Sequence, residues 1–131
     1  MEQLEIDVSI VIPAYNEHEA IRPVLDDILA VMEPMRRRYE IIVVDDGSTD
    51  DTAAQAASYA GVRVISHAHN RGNGAARTTG VRGAQGKWIV MTDADGTYPA
   101  SALPEMLREF DEGADMVIGA REREAGTVAW L

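Results

Sequence analysis

Five short apolar runs, mostly β-branched, alternate with helical patterns along this chain, and that alternation restricts its fold more than any other feature. The runs are Val8–Ile12, Ile41–Val44, Val62–Ile65, Trp88–Met91 and Met116–Ile118. β-Branched side chains suit a pleated sheet. Ile41-Ile42-Val43-Val44 is apolar on both faces, the pattern of a central parallel strand covered on both sides. The first run is expected to stop at Pro13, which has no N–H for a ladder.

The segments between the runs read as helices. Ile21, Val24, Leu25, Ile28 and Met32 recur at helical spacing behind Asn16 and Glu19, which read as a capping box. Ser48 and Asp51 are expected to cap an Ala-rich helix over 53–60, with Gly61 as its stop. Gly74 to Gln85 is a third helix; Gly80 and Gly83 lower its propensity but let it approach a sheet closely. Ser101 is expected to cap a fourth, with Leu103, Met106, Leu107 and Phe110 on one face and Gly113 at its end. Strand and helix in alternation predict an α/β fold: a mostly parallel open sheet, helices on both faces, right-handed crossovers.

The 131 residues are expected to form one domain, 1–131. The chain stops at Leu131, just after the fifth run and the charged loop Arg121-Glu122-Arg123-Glu124, so an N-terminal portion of a longer, C-terminally incomplete domain is expected. No apolar stretch reaches the length of a membrane span, and Met1-Glu2-Gln3-Leu4-Glu5 lacks the apolar region of a signal peptide. There are no cysteines, which excludes disulfides and thiol chemistry and fits a reducing compartment. A cytoplasmic location is expected, or the cytoplasmic face of a membrane if the full protein carries a C-terminal anchor. The net charge of −10 argues against nucleic acid as a partner. Arg36-Arg37-Arg38, the only dense basic run, reads as a solvated helix end or as a contact with an anionic membrane surface.

In open α/β sheets ligands bind outside the carboxyl ends of the strands. Each run here is followed there by a polar cluster: Pro13-Ala14-Tyr15-Asn16-Glu17, Asp45-Asp46-Gly47-Ser48, His69-Asn70-Arg71-Gly72-Asn73-Gly74, Asp93-Ala94-Asp95-Gly96 and Gly119-Ala120-Arg121. Asp93 and Asp95 are the sharpest feature. Two such carboxylates repel unless a cation intervenes, and Mg2+ or Mn2+ suits oxygen ligands that it shares with phosphates. Their bland alternative is a turn with Asp93 as its cap and Asp95 solvated. Tyr15 either stacks on a nucleobase or packs at the rim. Asp46 either accepts hydrogen bonds from a base or ribose or supplies charge at a helix start; Asp45 reads as structural. His67 and His69 have no third ligand and read as surface or rim. Gly72-Asn73-Gly74 is not a dinucleotide fingerprint, because Arg77 stands at the third glycine position and the segment follows the third strand. No P-loop is present.

Four motifs, Val8 to Glu17 (VSIVIPAYNE), Ile41 to Ser48 (IIVVDDGS), Asn70 to Ala76 (NRGNGAA) and Asp93 to Pro99 (DADGTYP), resemble the family 2 glycosyltransferases of GT-A fold. With Val117 to Arg121 (VIGAR), they most resemble the polyprenyl-phosphate branch, which includes dolichyl-phosphate mannosyltransferase. The resemblance implies inverting transfer from a nucleotide-diphosphate sugar, with a polyprenyl phosphate such as dolichyl or undecaprenyl phosphate as acceptor. It implies that Pro13, Tyr15 and Glu17 line the nucleotide pocket, and that Asp46 contacts the base with Val44 beside it. Asp93 and Ala94 would flank the ribose and diphosphate, and Asp95 would be the principal metal ligand. Arg121 would approach the diphosphate or the acceptor phosphate. Some relatives carry Gln two residues after the metal-binding Asp; here that residue is Thr97.

Three other readings compete. One is a family 2 transferase acting on a saccharide hydroxyl, which needs a carboxylate base. A nucleotidyltransferase would place a glycine-rich basic loop after the first strand, where Pro13 to Glu17 is acidic and glycine-free. The third is a truncated or degenerate, non-catalytic nucleotide-sugar-binding module. Intact Asp93 and Asp95 argue against decay of a metal site, while the end at Leu131 argues for incompleteness. The 131 residues alone are therefore expected to bind donor poorly and to turn over little or not at all.

Overall fold

The computed structural model describes residues 5–117. Two compact units make up the chain, Met1–Ala100 and Ser101–Leu131. In the first unit the order is β1 (Val8–Ala14), α1 (Ile21–Met32), β2 (Tyr39–Asp45), α2 (Thr52–Ala57), β3 (Val62–Ser66), α3 (Asn73–Gly83) and β4 (Trp88–Met91). The four strands form one parallel sheet in the order β3-β2-β1-β4.

This order decides where helices and ligands go. From β1 to β2 to β3 the chain steps one way across the sheet; from β3 to β4 it jumps back past β2 and β1. Right-handed crossovers therefore put α1 and α2 on one face and α3 on the other. The strand order reverses between β1 and β4, the switch point where such sheets open a crevice. Both faces are buried, as the all-apolar β2 run predicts. Val11, Ile42 and Val44 are fully buried in a cluster with Ala76 of α3, while Ile10, Ile12, Ile41 and Val43 are equally buried on alternate positions.

Pro13 does not end β1. It pairs with Val44 in the register with β2, and β1 runs on to Ala14. Even-numbered residues of β1 bond towards β2, as in Asp46 N–H to the Ala14 carbonyl (2.9 Å). Odd-numbered ones bond towards β4, the last being Thr92 N–H to the Val11 carbonyl (3.1 Å). The next rung of that ladder needs an N–H at residue 13, which proline lacks. Pro13 thus ends only the β1–β4 pairing, and the two strands part just where the order reverses.

Three expected caps are absent. Asn16 lies at φ 51° and does not cap α1, which starts at Ile21 behind a turn closed by Ala20 and Ile21 N–H groups on the Glu17 carbonyl. The Asn16 side chain instead accepts from Thr49 N–H (2.8 Å), and its own N–H donates to Ser48 Oγ (2.9 Å). Ser48 is therefore taken by the β1–α1 loop and caps nothing; α2 starts at Thr52, whose N–H is held by Asp50 Oδ1 (3.0 Å). It ends at Ala57, short of Gly61. Arg36-Arg37-Arg38 follows a short 3-10 turn, Glu33–Met35, rather than ending an α-helix, and Arg37 pairs with Asp7.

In the second unit α4 spans Leu103–Asp111, with Leu103, Leu107 and Phe110 buried on one face. Ser101 makes no cap bond to it. Its end does use Gly113, at φ 106°, with Ala114 N–H reaching back to the Glu109 carbonyl (3.0 Å). Of the fifth expected strand, Met116 and Val117 are in no strand, and Ile118 lies outside the described residues, as does Arg121.

Candidate functional site

Where β1 and β4 part, a cleft of about 330 Å3 opens, within the range of small-ligand sites. The β1 side supplies Pro13, Ala14, Tyr15 and Glu17, and the β4 side Asp93, Ala94 and Asp95. Asp46, Asn70, Gly72, Asn73 and Ala76 form the opposite wall. Seven residues singled out from sequence thus meet in one place: Pro13, Tyr15, Glu17, Asp46, Asp93, Ala94 and Asp95. Val44 does not join them. Its side chain is fully buried in the core with Ala76, because its position on β2 faces α3 and not the strand end.

The cleft floor is acidic. Burial, and then the carboxylates of Asp95, Asp50 and Asp93, push the Glu17 carboxyl above its ordinary value. Asp95 sits in a tight turn: its Oδ1 accepts from Thr97 N–H (2.9 Å) and Thr97 Oγ1 (2.7 Å). Asp93 Oδ1 lies 3.9 Å from Arg77 Nη2, which reaches across from α3. Asp93 and Asp95 offer carboxylate oxygens, the donor type a hard divalent cation takes, and a cation beside them would relieve their repulsion of Glu17. Tyr15 lines the cleft and is 46% exposed.

Asp46 is 3% exposed and heavily engaged. Its Oδ1 accepts from His67 Nδ1 (2.7 Å) and Arg71 N–H (2.9 Å), and its Oδ2 from Gly72 N–H (2.9 Å). Burial raises its pKa, but the His67 bond and the two backbone N–H groups together more than offset that and hold it below the ordinary value. His67 is therefore no surface residue: its side chain is 6% exposed and its Nε2 lies 2.8 Å from Thr79 Oγ1. The parallel register supplies the reason. Asp45 pairs with Ser66, so the next residues, Asp46 and His67, leave the sheet side by side. His69 is exposed, as expected.

His18, Asp50 and Asp51 form a separate group with potential ligand atoms within 4.8 Å of one another. Asp50 is used there by His18 Nδ1 (2.8 Å) and by Thr52, whose hydroxyl and N–H both bond Oδ1. That makes it a loop clasp outside the cleft. The cleft wall Asn70, Gly72, Asn73 and Ala76, and Arg77 beside Asp93, are given no individual role by the sequence motifs. Their signal was positional: all follow β3 on the edge that the other clusters share.

Against known proteins, the profile of Glycosyl transferase family 2 matches residues 9–129. The chain belongs to this family. Its family 2 relatives include dodecaprenyl-phosphate galacturonate synthase of Rhizobium johnstonii, 32% identical over 123 residues, 89% of this chain and 36% of that protein. Among solved structures, the mannosyltransferase PcManGT of Pyrobaculum calidifontis, in complex with GDP-Man and Mn2+, superposes with a TM-score of 0.72. It is 30% identical over 89% of this chain and 35% of its own. Staphylococcus aureus TarS in complex with UDP gives a TM-score of 0.71 at 27% identity, over 82% of this chain and 32% of its own. The parallel sheet with flanking helices is the GT-A fold of these structures. The chain spans well under half the length of these family 2 relatives. Among the described residues no helix is long and apolar enough to cross a membrane.

Proposed function

We propose that this chain is the donor-binding part of an inverting, metal-assisted glycosyltransferase that moves a sugar from a nucleotide-diphosphate sugar to a polyprenyl phosphate. The observation that carries the reading is the acidic cleft at the switch point, where Glu17, Asp93 and Asp95 meet an exposed Tyr15 ring. Acidic walls bind a diphosphate only through a cation. Asp95, held by Thr97, and Asp93 are the ligands for Mg2+ or Mn2+. The ion offsets the charge that develops on the departing nucleoside diphosphate. The roles of the chain itself are to hold and orient. Tyr15 stacks on the base, Pro13, Ala94 and Glu17 shape the nucleotide pocket, and Asp46 stands at the base-proximal wall with one acceptor position on Oδ2 left for the ligand. Arg77, 3.9 Å from Asp93, is the cation proposed to meet the phosphates.

The acceptor assignment draws on the dodecaprenyl-phosphate relative. A lipid phosphate is already an anion, so its attack on the anomeric carbon needs no strong base, whereas a sugar hydroxyl would. The test is thermal melting of the chain with UDP and with GDP, each with Mn2+ or with chelator. A ligand that binds only the folded state raises the midpoint by mass action. A metal-dependent rise with one nucleotide, lost in Asp95→Ala, is the expected result. A rise that survives both chelator and Asp95→Ala would sink the metal assignment, and no rise with either nucleotide would sink the donor site.

A further inference from the structure

We propose that His67 is a positioning residue of the donor cleft: acting through Asp46, it fixes the Arg71–Gly72 stretch of the cleft wall in the place that nucleoside-diphosphate binding requires. The inference rests on the donor-site reading above and names a residue that makes no contact with the ligand.

α3 carries Asn73 and Ala76, and Asn70 lies against Gly47, which leaves Arg71 and Gly72 as the stretch of the wall to be held separately. Asn70 and Asn73 are exposed, Gly72 sits at φ 99°, and a Cβ at Gly72 would meet nothing. The backbone N–H groups of Arg71 and Gly72 are tied down by one side chain, the Asp46 carboxylate, at 2.9 Å each. The rotamer of that carboxylate therefore sets where Arg71 and Gly72 stand. A third bond, from His67 Nδ1 (2.7 Å), fixes that rotamer from behind. The imidazole is in turn fixed by Thr79 Oγ1 at 2.8 Å, three residues along α3 from Ala76, which lines the cleft. One buried ring thus links the end of β2, the end of β3 and α3.

The donor pattern follows from the partners. Asp46 is a carboxylate and only accepts, so Nδ1 carries a proton and donates to it, while Nε2 is hydrogen-bonded to the Thr79 hydroxyl, which can donate or accept. Here both ring nitrogens have partners, and no buried side-chain polar atom among the described residues lacks one. The backbone adds a second constraint. His67 N–H bonds the Asp45 carbonyl (2.8 Å), which ties its main chain to the end of β2.

Three substitutions separate positioning from bulk. His67→Leu removes both ring bonds. His67→Asn keeps an N–H where Nδ1–H stands and so keeps the Asp46 bond. His67→Gln reaches Thr79 but not Asp46. Two readouts are taken on this chain: calorimetric titration with UDP and GDP in Mn2+, and amide hydrogen exchange at Arg71 and Gly72. His67→Leu is expected to weaken nucleotide binding and speed exchange at those two amides, each on the order of tenfold, the equivalent of one charge-assisted hydrogen bond. Exchange in Ile41 to Val44 stays unchanged, and His67→Asn restores both readouts. If His67→Leu does not fold, His67→Gln replaces it with the same expected loss. Wild-type binding with an unweakened His67→Leu or His67→Gln overturns the proposal. So does a loss that His67→Asn fails to rescue while exchange speeds up across the whole sheet, which marks a residue needed only for folding. Failure of the wild type to bind either nucleotide overturns the donor-site reading itself, and this inference with it.

Discussion

Gly80 lies directly on Val11: a Cβ at residue 80 would stand 2.2 Å from Val11 Cγ1 and 3.2 Å from Val44 Cγ2. The absence of a side chain is what lets α3 rest on the sheet, and α3 carries Asn73 and Ala76 to the cleft. Gly80→Ala should destabilise the chain by about 1–3 kcal/mol, the usual cost of overpacking a core. Gly74→Ala, in the same helix with open space around it, should be neutral or stabilising by up to about 1 kcal/mol. Urea unfolding midpoints of the two variants check this, and equal midpoints would refute the close-contact argument.

Asp46 should be among the costliest polar positions to truncate. Asp46→Ala leaves His67 Nδ1 buried without its acceptor and frees two backbone N–H groups. The expected loss is about 2–3 kcal/mol, from charge-assisted bonds removed on one side only. Asp45→Ala should cost less, because Asp45 accepts one long bond, from Ser48 N–H at 3.3 Å. Chemical denaturation of both variants ranks them, and the reverse order would overturn the assignment of Asp46 as the anchor.

Stability should fall on both sides of neutral pH for separate reasons. The bond to Asp50 is the main cause that raises the His18 pKa above its ordinary 6.5. Its contribution is fully present below 6.5 and is lost as pH rises through the raised value. Asp50, lowered to about 2 chiefly by the Thr52 hydroxyl, contributes above 3.8 and loses that contribution as pH falls through about 2. Asp46, also lowered, acts in the same acid window. Melting temperatures of wild type and His18→Gln from pH 5 to 9 should differ in slope on the alkaline side alone. A matching alkaline slope in the variant would show that the His18–Asp50 clasp contributes nothing.

The β-branched runs marked the strands because burial on both faces leaves no polar position to blur them, as Ile41 to Val44 illustrates. The site was legible for a related reason: a parallel sheet gathers every strand end on one edge, so Tyr15, Asp46 and Asp93 had to be neighbours. Helix starts were not legible. Asn16, Ser48 and Ser101 have capping side chains, but Asn16 and Ser48 bond each other's loops across 32 residues or more, a tertiary preference that a local pattern does not contain. His67 was missed because a lone histidine has no period. Only the β2–β3 register, with Asp45 opposite Ser66, puts it beside Asp46. Val44 enters the pocket only through the family resemblance; here it is buried in the core with Ala76.

Thr97 offers the sharpest test of the cation site. Its hydroxyl and N–H both bond Asp95 Oδ1, at 2.7 and 2.9 Å, and fix the rotamer of the proposed principal ligand. Thr97→Val keeps the shape and the N–H but removes the hydroxyl donor. Thr97 is exposed, so folding should be unaffected, with a melting temperature near that of the wild type. Metal affinity should fall, because Asp95 must then be ordered when the ion binds; one neutral hydrogen bond corresponds to a loss of roughly three- to tenfold. Thr97→Ser, which keeps the hydroxyl, should stay at wild-type affinity. Titrating Mn2+ in the presence of saturating nucleotide reads all three. Equal affinities in wild type, Thr97→Val and Thr97→Ser would mean that the turn does not hold the ligand. A Thr97→Val loss as deep as that of Asp95→Ala would mean that the hydroxyl binds the ion itself.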